Sequence, residues 1–185
     1  MDLINRPRRL RQNNAVRRMC RETRLSPDSL IYPVFVDETL SGKRPIPALD
    51  GQFHYGLDAV DEAVKSCIDA GVGRCILFGL PAKKDAQGSS AWDSKGVVQK
   101  AIRAIKAKYP DFYVITDVCM CEYTDHGHCG ILCGHDVDND KTLEVLSKTA
   151  LSHAEAGADM VAPSDMMDGR IAAIRASLDA HGFSN

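Results

Sequence analysis

The sequence predicts an α/β domain built on a parallel sheet, and three observations carry that prediction. Short apolar runs alternate with segments of helical periodicity at roughly forty-residue intervals, as repeated βαβ units do. The apolar runs are continuous rather than alternating, as expected of strands covered on both faces. The chain has 185 residues, 44% of them apolar, enough for one domain with a sizeable core.

Taken in order, Ser26-Pro27-Asp28 reads as a helix start, with Ser at the cap and Pro in the first turn. Residues 1–29 before and around it form an N-terminal arm, and residues 30–185 form the β/α domain. Leu30 to Val36 is a strand whose Pro33 predicts an interruption. Val60, Val64, Cys67 and Ile68 share a helix face that ends near Gly71. Arg74 to Gly79 is the second strand. Val98, Ala101, Ile102 and Ile105 mark a helix stopped before Pro110. Phe112 to Cys119 is the third strand. Asn139 or Asp140 can cap a helix carrying Leu143, Leu146, Ala150 and Ala154, which ends at Gly157. Asp159 to Pro163 is the fourth strand. Asp168 can cap the last helix, with Ile171, Ile174 and Leu178 inward.

Two architectures fit four such units. One is an open doubly wound sheet; the other is part of a (β/α)8 barrel, which takes about 250 residues when complete. No Gly-rich phosphate loop follows the first strand, which weakens a nucleotide-binding reading of the open sheet.

The formal net charge is −2, giving no overall attraction to nucleic acid or membrane. Residues 1–24 hold eight arginines against Asp2 and Glu22, a local +6. Leu10, Val16 and Met19 interleave with them, so an arm docking onto acidic protein surface is favoured over nucleic-acid binding. No apolar run approaches the ~20 residues of a membrane span, and the N-terminus has no apolar signal core, so a cytoplasmic location is expected. The seven cysteines are odd in number and scattered, which argues against a disulfide framework.

The chemistry concentrates in residues 117–130, "DVCMCEYTDHGHCG". If the third strand runs on through Cys121, then Asp117, Cys119 and Cys121 share one face. That row stands at the carboxyl end of a parallel strand, where α/β folds place their sites. Gly127 lets the chain turn and return Cys129 to the pair. Cys-x-Cys-x7-Cys is then a three-thiolate site, and zinc (Zn2+) is its natural occupant. His128 or Cys133 can fill a fourth position and close the site; left open, the site suits catalysis. The bland alternative is a set of core cysteines near a loop. Cys20, Cys67 and Cys75 read as structural. His126 reads as a supporting or solvent group, and His54, His135, His153 and His181 read mostly as surface residues.

These residues resemble a known family. Asp117–Leu132 resembles the zinc-binding signature of porphobilinogen synthase, also called 5-aminolevulinate dehydratase. Arg6–Arg11 resembles the start of that family's arm, Tyr32–Val36 its first barrel strand, and Gly88–Trp92 a loop motif. Val137–Leu146 resembles a helix entry, and Ala156–Arg175 the fourth strand and helix. The resemblance implies a TIM-type barrel with an arm that wraps a neighbouring subunit, commonly in octamers. It implies condensation of two 5-aminolevulinate molecules into porphobilinogen with loss of water, in tetrapyrrole (heme) biosynthesis. Some members replace the zinc thiols; this chain keeps Cys119, Cys121 and Cys129, which match the metal ligands. Asp117 matches an acidic residue lining the site, and Ser164 and Asp165 fall at the end of the fourth strand beside it.

The family also uses two lysines that form Schiff bases with substrate, and they lie beyond the point where this chain stops. None of its ten lysines stands in a matching context. The expectation is therefore a truncated synthase, inactive alone, whose four strands leave unpaired edges and an uncovered apolar face. The alternative is a non-catalytic zinc-binding module that joins full-length subunits.

Overall fold

A computed structural model describes residues 4–185. The helices are α1 (Asn14–Cys20), α2 (Val60–Asp69), α3 (Val97–Lys108), α4 (Asn139–Ala156) and α5 (Arg170–Ala180). The strands are β1 (Tyr32–Asp37), β2 (Lys43–Pro45), β3 (Phe53–Tyr55), β4 (Arg74–Leu80), β5 (Tyr113–Val118), β6 (Leu132–Cys133), β7 (Asp136–Val137) and β8 (Met160–Pro163). The main sheet has the order β2-β3-β1-β4-β5-β8, and β6 and β7 form a separate hairpin.

The order decides between the two architectures. The four predicted strands β1, β4, β5 and β8 are parallel neighbours in chain order, with no reversal. A doubly wound sheet reverses its strand order and places helices on both faces. Here the helices follow one another on one face, with α2 against α3, α3 against α4 and α4 against α5. That is the winding of a (β/α)8 barrel, present as an open segment.

Register shows which side chains meet the helices. Val34, Leu77 and Thr116 lie in one row across β1, β4 and β5, and all three are fully buried. Around them Val36, Cys75 and Val114 pack against Val64, Ala101, Ile102 and Ile105 from α2 and α3. A second core sits under α4 and α5, joining Val118, Met120 and Tyr123 to Leu146, Ala150, Ile174 and Leu178. The opposite face carries Phe35, Ile76 and Phe78, which are only half-buried. Phe35 and Phe78 stack there, with centroids 5.3 Å apart. β4 and most of β1 therefore alternate in burial, whereas β5 is buried on both faces from Val114 to Val118.

Several local expectations are corrected by longer-range contacts. Pro33 does not interrupt β1: it pairs in register with Ile76, and the β3 side of the strand engages only from Phe35 onward, so its missing N–H breaks no ladder. The Ser26 signal closes only a three-residue 3-10 turn, Pro27–Ser29. Helix α4 is capped by Asp138, whose carboxylate accepts the Lys141 N–H at 3.1 Å. Asn139 instead reaches across to the entrance of α5: its side chain accepts the Asp168 N–H at 2.8 Å and donates to the Asp168 carbonyl at 3.2 Å. Asp168 is thus held rather than capping, and Gly169 takes the cap position of α5 without a side-chain bond. Ile174 and Leu178 are buried, whereas Ile171 faces outward.

His153 is not a surface residue. It is wholly buried on α4, with Nδ1 3.0 Å from the Thr116 hydroxyl, and its Nε2 has no partner. Burial depresses its pKa to about 3, so it is a neutral core residue. Cys67 and Cys75 are buried as expected, but Cys20 is exposed on α1. The described part of the arm contributes no buried residue. Among the described residues no helix is long and apolar enough to cross a membrane.

Candidate metal centre and acidic cluster

Strand β5 delivers the chain to the carboxyl end of the sheet and stops at Val118. It does not run through Cys121, so strand alternation is not what joins the cysteines. Alternate residues of an extended strand lie about 7 Å apart, yet the Cys119 and Cys121 sulfurs are 3.4 Å apart. The backbone bends after Cys119 into a turn, in which the Tyr123 and Thr124 N–H groups both donate to the Met120 carbonyl at 2.9 Å. Met120 and Tyr123 anchor this turn in the second core, which leaves the cysteines to face the other way.

The chain then loops back at Gly127, whose φ of +74° suits glycine. The Thr124 hydroxyl donates to the His128 carbonyl at 2.9 Å, and Cys129 follows. The sulfurs of Cys119, Cys121 and Cys129 lie within 4.8 Å of one another, the one such cluster of three or more potential ligands among the described residues. Neither histidine of the segment joins it. A His126 ring nitrogen lies 3.3 Å from the Ala86 carbonyl, its Nδ1 accepts the His128 N–H, and His128 is exposed. Cys133 lies on the β6–β7 hairpin, exposed and outside the cluster.

The donor set fits a soft divalent ion. Three thiolates at about 2.3 Å from a tetrahedral zinc lie about 3.8 Å apart, a spacing these sulfurs approach without rearrangement. Burial holds the Cys119 and Cys121 thiols protonated, above the ordinary thiol range. A bound cation supplies the opposite charge that favours the thiolates.

Buried carboxylates lie at the same end of the sheet. Asp117 is buried, and that burial raises its pKa; a hydrogen bond from the Ser164 side chain opposes the rise and the Asp165 charge adds to it. Ser164 follows β8 directly, and its N–H donates to the Val118 carbonyl at 3.2 Å. Asp165 is buried and also raised, chiefly by burial; it accepts the Met167 N–H at 2.7 Å and lies 3.6 Å from the Arg170 guanidinium. Ser164 and Asp165 thus act on Asp117 in opposite directions, Ser164 favouring its charged form and Asp165 disfavouring it.

Sequence reasoning missed Glu122. Its carboxyl is pushed up to about 8, first by burial and then by the charge of Asp117, with Lys84 opposing. Its Oε2 has no hydrogen-bond partner.

Comparison with known proteins places this arrangement. A family model described as Delta-aminolevulinic acid dehydratase matches residues 4–185. The delta-aminolevulinic acid dehydratase of Ruminiclostridium josui is 56% identical over 183 residues, covering 99% of this chain and 89% of that protein. That of Archaeoglobus fulgidus is 53% identical over 180 residues, covering 97% of this chain and 56% of the relative. The crystal structure of the Toxoplasma gondii enzyme, in complex with its reaction product porphobilinogen, superposes with a TM-score of 0.94 at 37% identity. It is covered over 98% of this chain and 53% of the other, so the chain spans little more than half the length of the latter two. A barrel segment with three converging thiols beside buried carboxylates, matched along its whole described length, belongs to the delta-aminolevulinic acid dehydratase family.

Proposed function

We propose that this chain carries the metal-binding end of a zinc-dependent porphobilinogen synthase, which condenses two molecules of 5-aminolevulinate with loss of water. The observation that supports this most is the convergence of Cys119, Cys121 and Cys129 next to Asp117 at the carboxyl ends of parallel strands. Zinc held by these thiolates supplies Lewis-acid polarisation of a substrate oxygen or the acidity of a bound water.

The chain's own residues supply the rest of this half-site. Asp117, whose pKa burial raises above the ordinary carboxylate value, is suited to exchange protons with a bound substrate. Ser164 orients it, and the Asp165 charge raises its basicity. Met120 and Tyr123 fix the turn from beneath, so the cysteines need little reorganisation to take a metal.

The amine nucleophiles come from polypeptide outside residues 1–185. Five of the ten lysines, Lys43, Lys100, Lys106, Lys108 and Lys141, are ion-paired with carboxylates. Further strands would cover Phe35, Ile76 and Phe78 on the open face. The arm mediates homo-oligomer assembly, and the protein acts in the cytoplasm.

Borohydride trapping tests the division of labour. Purified residues 1–185, incubated with 5-aminolevulinate and reductant, gain no covalent mass. A stable adduct on any lysine contradicts it.

A further inference from the structure

The loop between β4 and α3 belongs neither to the thiol trio nor to the acidic cluster, yet it grips the cysteine segment. The Asp85 carboxylate accepts the Gln87 N–H at 2.9 Å, the Ser89 N–H at 3.0 Å and the Ser89 hydroxyl. These bonds curl residues 85–89 into a tight turn. The backbone of Asp85 then pairs with the cysteine segment. Its N–H donates to the Tyr123 carbonyl at 3.3 Å, and its carbonyl accepts the Asp125 N–H at 3.2 Å, a parallel bridge to Thr124.

Gly88 brings the turn closer still. Its φ is +64°, and a Cβ there would sit 2.6 Å from Met120 Cε and 3.2 Å from Tyr123 Cβ. Thr124 is in turn bonded to the His128 carbonyl, one residue before Cys129. The contacts thus run from Asp85 through Thr124 to the return strand of the loop, between Cys121 and Cys129.

We propose that Asp85 is a positioning residue for the metal site: it shapes the 85–89 turn whose backbone clamps the loop carrying Cys121 and Cys129. It touches neither metal nor substrate. The inference rests on reading the trio as a metal centre. Asp93 provides an internal control. Its carboxylate accepts the Lys95 N–H at 2.8 Å and its carbonyl the Gly96 N–H, a turn of the same kind inside its own loop.

Cobalt(II) titration of the full chain tests this, read by the thiolate-to-cobalt charge-transfer absorption with far-ultraviolet circular dichroism on the same samples. Asp85→Ala weakens cobalt binding about tenfold or more, as loss of a supporting group around a metal does. Asp85→Asn keeps the Oδ1 acceptor and recovers most of the affinity. Asp93→Ala matches the wild type, and the dichroism of all three variants is unchanged. Ser89→Ala removes one of the three bonds and weakens binding about threefold; it decides the matter if Asp85→Ala does not fold. Equal cobalt affinity in Asp85→Ala and wild type, or in Ser89→Ala and wild type where Asp85→Ala is unfolded, overturns the proposal. No charge-transfer band in the wild type overturns the metal reading itself, a distinguishable result.

Discussion

The helix-covered face of the sheet and its carboxyl-terminal mouth bury chain by opposite means. Under α2 and α3 the buried residues are almost all aliphatic, from Val34 and Leu77 to Ile102 and Ile105. The few buried polar groups there are paired: Gln99 donates to the Ala91 carbonyl and the Ser152 hydroxyl, and Thr116 meets His153. At the mouth, Asp117, Asp165 and Cys119 are buried and Glu122 is half-buried, and burial raises the pKa of each, whereas in Asp37, buried at the end of β1, hydrogen bonds from Thr39 and the Arg44 charge outweigh burial. Apolar burial stabilises the fold at about 25 cal/mol per Å2. Burying titratable groups opposes folding unless something charged compensates. The difference teaches that the mouth is maintained for chemistry, on a platform whose stability comes from elsewhere.

Perturbing each region separates the two roles. Ile102→Ala, deep in the helix-covered core, lowers unfolding free energy by about 2–5 kcal/mol in urea denaturation, with cobalt affinity unchanged in the folded fraction. A loss of metal binding without a loss of stability would break the distinction.

His153 lies between the regions and reports through pH. Its folded pKa, about 3, is below the ordinary value of 6.5. The unfolded chain therefore binds the extra proton first as pH falls. Its neutral form costs nothing above about 6.5, and stability falls from there down to about 3, by about 1.4 kcal/mol per pH unit. His153→Gln, which keeps a hydrogen-bonding side chain for Thr116, flattens that acid limb in thermal melts between pH 6.5 and 4. An acid limb identical to the wild type would place the sensitivity in other groups.

The smallest effect belongs to the mouth. Glu122 is already held largely protonated at pH 7, so Glu122→Gln, a near isostere, changes the neutral-pH unfolding free energy of the metal-free chain, read by urea denaturation, by less than about 1 kcal/mol. A loss comparable to that of Ile102→Ala would mean the carboxyl is part of the platform.

What the sequence disclosed follows the range of the interactions concerned. The four parallel strands and their helices were legible because their periodicity is local, and the thiol trio because its members crowd into eleven positions. The means of convergence was not. Alternation along a strand was expected to align Asp117, Cys119 and Cys121, whereas a turn anchored by Met120 and Tyr123 brings the sulfurs together. That anchoring depends on Leu146 and Ile174, far along the chain. His153 and Glu122 were misread or missed for the same reason: burial is conferred by distant neighbours, and a polar residue on a helix or beside a loop carries no local mark of it. The cap of α4 is Asp138 rather than Asn139 or Asp140, and Asn139 is engaged with Asp168, a contact spanning 29 residues. The β2–β3 hairpin, with three residues in each strand, is too short to leave a periodic signal.

X-ray absorption at the zinc edge of the zinc-loaded chain tests the central claim most directly. The account predicts one bound zinc whose nearest shell contains three sulfurs at about 2.3 Å. A shell of nitrogen and oxygen, with one sulfur or none, would contradict it.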